Sequence, residues 1–78
     1  MEIKKDDNKY IYVIVSRNIR RLRKKHNLTQ VALADLIGYS DGTISNIENS
    51  SYQTFSLEFI YVLLKVLNEP MSEFFIEE

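Results

Sequence analysis

Cysteine is absent from the chain, which rules out disulfides and thiolate metal sites. The single histidine, His26, cannot build a histidine-rich metal cluster. Proline occurs once, at Pro70, and glycine twice, at Gly38 and Gly42. With so few breakers, an all-helical chain is expected. Long apolar runs are missing too. Stretches such as Ile11 to Val15 are far shorter than the roughly 20 residues a membrane span needs. Met1 to Lys9 is mostly charged and does not read as a signal peptide. We therefore expect a cytoplasmic protein with no membrane association. No nucleophile–base pair, metal-ligand cluster or phosphate-cradling glycine loop stands out, so neither an enzyme nor a bound cofactor is expected, and no small-molecule substrate is evident.

An excess of charge of one sign is also lacking, since the net charge is −1. By itself that argues against a nucleic-acid partner. The distribution says more than the sum. Between Ser16 and Ala34 stand Arg17, Arg20, Arg21, Arg23, Lys24 and Lys25, with no acid among them. From Glu58 onward, Glu58, Glu69, Glu73, Glu77 and Glu78 face Lys65 alone. A basic part of this kind can meet phosphates while the acidic end faces away. A solvated helix face rich in arginine would look the same.

The chain has 78 residues, the size of one domain. Residues 1–9 read as a flexible N-terminal segment and residues 10–78 as the folded domain. Val15, Ile19 and Leu22, spaced i, i+4, i+7, mark one face of a first helix from Tyr10 to His26. Tyr10 to Val15 is also rich in strand formers, so a short strand there is the alternative. Thr29 is a good N-cap for a second helix, Gln30 to Ile37, and Gly38 suits its left-handed end. Ser40 would cap a third helix, Asp41 to Asn49, with Asp41 complementing the helix dipole. Ser56 would cap a fourth helix to Leu67 that is apolar nearly all round. Ser72 to Ile76 reads as a short fifth. His26 suits a helix C-terminus as a cation.

The most informative stretch is Gln30 to Asn49. Leu33, Ile37, Ile44 and Ile47 would bury two short helices against the domain. Ala34 is small where the helix axes come nearest, and Gly38 suits a left-handed bend. Two helices joined by a turn of this length cross at about 90–120°.

The string Thr29-Gln30-x-x-Leu33-Ala34-x-x-x-Gly38-x-Ser40-x-x-x-Ile44-Ser45-x-Ile47-Glu48-Asn49 resembles the Xre/Cro family of phage-repressor-type helix-turn-helix proteins. Ile19-Arg20-x-Leu22-Arg23 is similar to the family's first helix. Ser56 to Leu67 and Met71 to Phe75 are similar to its fourth and fifth, so the resemblance spans about residues 15 to 76. The size and aromatic C-terminus are similar to restriction–modification controller proteins and small phage or plasmid repressors. The resemblance implies a compact bundle of five short helices, the lambda-repressor-like DNA-binding domain. It also implies a sequence-specific transcriptional regulator acting as a homodimer on palindromic double-stranded DNA. A protein-interaction module on the same fold, antitoxin-like or adaptor, is the alternative.

By the same resemblance, the third helix would enter the major groove by its N-terminal end. Asp41, Gly42, Ser45 and Asn46 would face bases, with Asn46 suited to bidentate contact with adenine. Thr43, like Ser45, would bind bases or phosphates, Ser40 and Asn49 would also touch DNA, and the loop residues Ser50 to Thr54, Tyr52 among them, would reach the backbone. Gln30 would clamp a phosphate, and Arg20 and Lys24 would add basic contacts. Arg23 and Glu48 would form a structural salt bridge. Asp41 and Gly42 depart from the long polar residues frequent in the family, and they motivate the protein-interaction alternative. A core this small is expected to leave Leu63, Leu67, Phe74, Phe75 and Ile76 as a surplus for a dimer interface.

Overall fold

A computed structural model describes residues 3–49 and 53–77. Four α-helices and a terminal 3-10 helix follow one another: α1 Tyr10–Lys25, α2 Gln30–Ile37, α3 Gly42–Asn49, α4 Leu57–Leu67 and the 3-10 helix Met71–Phe75. No strand occurs among the described residues. Tyr10 to Val15 is helical from its first residue, because the apolar face it begins is completed by Ile19 and Leu22. No helix among the described residues is long and apolar enough to cross a membrane.

Local chemistry sets most boundaries. The Thr29 hydroxyl accepts from the Ala32 N–H at 3.0 Å, and Ser56 accepts from the Phe59 N–H at 3.1 Å, so both act as N-caps. Gly38, at φ 77°, ends α2 in the left-handed conformation. Asparagine does the same work elsewhere: Asn68 has φ 55° at the end of α4, and Asn27 has φ 57° just after α1.

Three boundaries differ from expectation. α1 stops at Lys25, and His26 is its cap. α3 begins at Gly42, so Asp41 precedes its first turn. The Ser40 hydroxyl lies 3.0 Å from that of Thr43, while its carbonyl accepts from the Thr43 N–H at 3.0 Å. The fifth element is a 3-10 turn that starts at Met71, directly after Pro70. The Pro70 carbonyl accepts the Glu73 N–H at 3.0 Å, and so short a segment takes the tighter winding.

Ile19, Leu22, Leu33, Ile44, Leu63 and Phe74 are the largest fully buried side chains. α1 packs against α3 and the 3-10 helix, and α2 against α3 and α4. The rings of Tyr12, Phe55, Phe59 and Tyr39 run along one side, with centroids 5.1–5.7 Å apart in edge or tilted contacts.

This core corrects the expected dimer surface. Leu63, Leu67 and Phe74 are buried within the single chain, and only Phe75 and Ile76 remain exposed. The 3-10 winding turns Phe74 inward onto α1, so the small core absorbs more than its length suggested. Nor is α4 buried all round, because Leu57, Tyr61 and Val66 are exposed.

Candidate nucleic-acid interface

The α2–turn–α3 unit is built from its closest approach outward. Leu33, Ala34 and Ile37 of α2 and Ile44 and Ile47 of α3 are all buried. The Tyr39 N–H donates to the Ala34 carbonyl at 2.9 Å, which folds the chain back past Gly38. With Ile44 and Ile47 inward, α3 turns Gly42, Asn46 and Asn49 fully outward and leaves Thr43 and Ser45 half-buried. Asp41 and Ser40 are exposed just before it. These residues, predicted to face DNA, therefore lie together on the outer side and N-terminal end of one helix. Within that face the Asn49 amide donates to the Ser45 hydroxyl at 3.1 Å. Asn46 is exposed on the same face. A Cβ placed on Gly42 would meet nothing nearer than the Asn46 amide nitrogen, at 3.8 Å.

Arg23 and Glu48 hold this unit to α1. The Arg23 guanidinium donates through Nε to Glu48 Oε2 at 2.7 Å and through Nη2 to Oε1 at 2.9 Å. Its Nη1 donates to the Leu28 carbonyl at 2.7 Å. Both side chains are almost wholly removed from solvent. The hydrogen bonds to Glu48 raise the Arg23 pKa further above its ordinary value, against the opposing pull of burial. Removing one member of such a buried pair costs about 3–5 kcal/mol, because the other charge is stranded. Gln30 joins this pair, its amide donating to Glu48 Oε1 at 3.2 Å. The predicted phosphate clamp is thus held, half-buried, at the start of α2 by the same carboxylate that fixes α3.

The basic helix sorts itself into two stripes. Arg21 meets Glu73 at 3.3 Å, and Lys25 meets Glu69 at 3.0 Å. Arg17, Arg20 and Lys24, spaced i, i+3, i+7, share another face, are exposed, and have no ion pair among the described residues. The Arg17 guanidinium donates to the Tyr10 hydroxyl at 3.2 Å. The acidic end therefore does not simply face away from the basic helix. Part of it folds back and neutralises one stripe, leaving the stripe that carries Arg20 and Lys24 open.

Asn18 was not anticipated as a key residue. Its buried amide nitrogen lies within hydrogen-bond distance of the carbonyls of Ile14 at 3.0 Å, Phe74 at 3.1 Å and Ile76 at 2.9 Å, tying the C-terminal turn to α1. One signal was present: an amide three residues after Val15 and four before Leu22 stands on the apolar face, where it needs internal partners. Ser50, Ser51 and Tyr52 lie outside the described residues. Gln53 and Thr54, which follow them, are exposed and line a groove shared with Tyr39, Thr43 and Asn46.

A buried helix-turn-helix with a polar outer face on its second helix defines a class of DNA-binding regulators. The helix-turn-helix family model HTH_3 matches residues 19–74, and the chain belongs to this Xre/Cro-like family of regulators, which are not enzymes. The restriction–modification controller protein C.AhdI from Aeromonas hydrophila is similar in structure, with a TM-score of 0.72 and 28% identity over 82% of this chain and 96% of that one. An HTH_3 family transcriptional regulator from Vibrio cholerae shares the fold at a TM-score of 0.77 and 22% identity, covering 88% of this chain and 38% of that one. The hypothetical transcription factor NHTF from Neisseria does so at 0.76 and 16% identity, covering 97% and 87%. In sequence, the antitoxin PezA of Streptococcus pneumoniae is 34% identical over 55 residues, 70% of this chain. The matched segment spans only 34% of that relative's length.

Proposed function

We propose that the protein is a cytoplasmic transcriptional regulator that reads a palindromic operator as a homodimer, one α3 helix in the major groove of each half-site. The observation that carries the reading is the division of α3. Ile44 and Ile47 anchor it, while Gly42, Asn46 and Asn49 stand exposed with Thr43 and Ser45 beside them. Asn46 would read adenine through its bidentate amide, with Gly42 leaving room beside it, and Asp41 and Ser45 would meet the neighbouring bases. Ser40, Thr43, Asn49 and the Gln30 amide at the start of α2 would bind backbone, where free helix N–H groups also favour phosphate. Tyr52 and its loop would extend these backbone contacts. Two-fold symmetry would space the half-sites by about 34–36 Å.

Sites selected from random DNA test this reading. The selected sites are expected to be palindromic, and Asn46→Ala should weaken binding to them by about 1–3 kcal/mol, roughly 5- to 150-fold, in fluorescence anisotropy. Selection that returns no common sequence would overturn it. The likeness to PezA favours a second reading, an antitoxin-like module that engages a protein. Under that reading Arg20→Glu with Lys24→Glu leaves function intact, whereas the DNA-binding reading expects binding to collapse.

A further inference from the structure

The exposed side of α4 carries an unusual pattern. Leu57 is 72% exposed and Tyr61 53% exposed, one turn apart on the same face. At the start of α4 the apolar surface continues into a groove lined by Ile11, Ile60 and Phe75, and Ile11 and Phe75 are themselves exposed. Glu58 and Lys65 flank Tyr61 on this face, both exposed and neither ion-paired among the described residues. The Lys65 ammonium leans over the Tyr61 ring, 4.5 Å from its centroid. Seven residues separate Glu58 from Lys65, about 10 Å along the helix. They lie at opposite ends of the same edge of the strip and cannot pair with each other.

We propose that a second copy of this chain docks on this face, with the two α4 helices antiparallel and the two-fold axis passing midway between Glu58 and Lys65. The proposal rests on the dimeric reading above and gives it a surface. A two-fold interface must be complementary to itself. An antiparallel pair exchanges the ends of the strip, so Glu58 of each copy meets Lys65 of the other while the Tyr61 rings meet near the axis. A parallel pair would put Glu58 level with Glu58 and Lys65 level with Lys65, so that no opposite charges would meet. This charge pattern selects a second copy over an unrelated apolar partner.

Sedimentation of the full chain tests it. Glu58→Lys and Lys65→Glu, each alone, should raise the dimer dissociation constant on the order of tenfold, because symmetry makes each change count twice. The double variant should return it to within about threefold of the original, since the pairs re-form with reversed sign. Both swaps oppose the α4 dipole, so restored monomer stability cannot explain that rescue. The cysteine-free chain allows a second measurement. Tyr61→Cys should give a covalent dimer on mild oxidation, and Val31→Cys on the exposed side of α2 should not. Single swaps that dimerise like the unaltered chain, a double variant that is not rescued, or a Tyr61→Cys chain that does not cross-link would each overturn this surface while leaving a dimeric regulator in place. An unaltered chain that is monomeric both free and on operator DNA would overturn the dimeric reading itself.

Discussion

Gly42 shows how a single residue separates folding from reading. Its backbone is not left-handed, and an added Cβ would meet only ordinary contact with Asn46. The fold therefore does not need glycine there, unlike Gly38 at φ 77°. Gly42→Ala should leave the fold intact and raise stability by roughly 0.5 kcal/mol, because alanine loses less backbone freedom on folding. If Gly42 lies against base edges, the same methyl should weaken binding to the selected operator several-fold and leave low-salt binding to random DNA unchanged. Thermal melts and anisotropy on the two DNAs check both halves. Unchanged operator affinity would move Gly42 away from the bases. Asp41, one residue earlier, is exposed before the first turn of α3, where a carboxylate still favours a helix N-terminus.

Among the elements, helices with strong local signals were legible in the sequence. Thr29 and Ser56 cap as their hydroxyls suggest, Gly38 closes α2, and the Val15–Ile19–Leu22 face is buried. The Arg23–Glu48 bridge also formed as the resemblance implied. The C-terminal turn was less legible. Phe74, Phe75 and Ile76 are equally apolar, and only the winding after Pro70, with Asn18 gripping two carbonyls, decides which of them turns inward. Glu69 likewise belongs to the acidic end of the sequence, yet it joins α1 to the start of that turn. Its carboxylate lies 2.7 Å from His26 Nε2 and 3.0 Å from Lys25 Nζ. The hydrogen bond from His26, then that from Lys25, hold its pKa below the ordinary glutamate value. A depressed folded-state pKa stabilises the fold fully above the unfolded value, near 4.3, and the contribution fades as pH falls through the folded value. Urea midpoints from about pH 5 to pH 3 should therefore show an advantage of the unaltered chain over Glu69→Gln that shrinks as the pH falls. An advantage independent of pH would mean that the carboxylate's charge does not matter to the fold.

At the scale of the whole molecule, a net charge of −1 has to be reconciled with a DNA-binding role. Folding supplies the reconciliation by pairing charges unequally around α1. Glu73, Glu48 and Glu69 take up Arg21, Arg23 and Lys25, and Arg17, Arg20 and Lys24 keep an exposed stripe of their own. A protein of this balance has little long-range attraction for DNA, so its electrostatic affinity must come from a few short contacts. Binding to phosphate releases condensed counterions, with a slope of log affinity against log salt of about −0.9 per phosphate. If Arg20 and Lys24 each neutralise one phosphate in both protomers, Arg20→Gln with Lys24→Gln should make the slope shallower by about 3.6 for the operator and for random DNA alike. Neutralising Arg21 should change the slope little, because its charge is already engaged by Glu73, and its main effect should fall on the docking of the C-terminal turn. Anisotropy titrations between 50 and 300 mM salt measure both, at roughly the concentrations where such slopes are resolved. A slope change of about 1.8 on neutralising Arg21, one phosphate in each protomer, would mean that its ion pair to the acidic end opens when DNA arrives. A loss confined to the Arg20 and Lys24 stripe would mean that the fold itself selects which cations meet the phosphates.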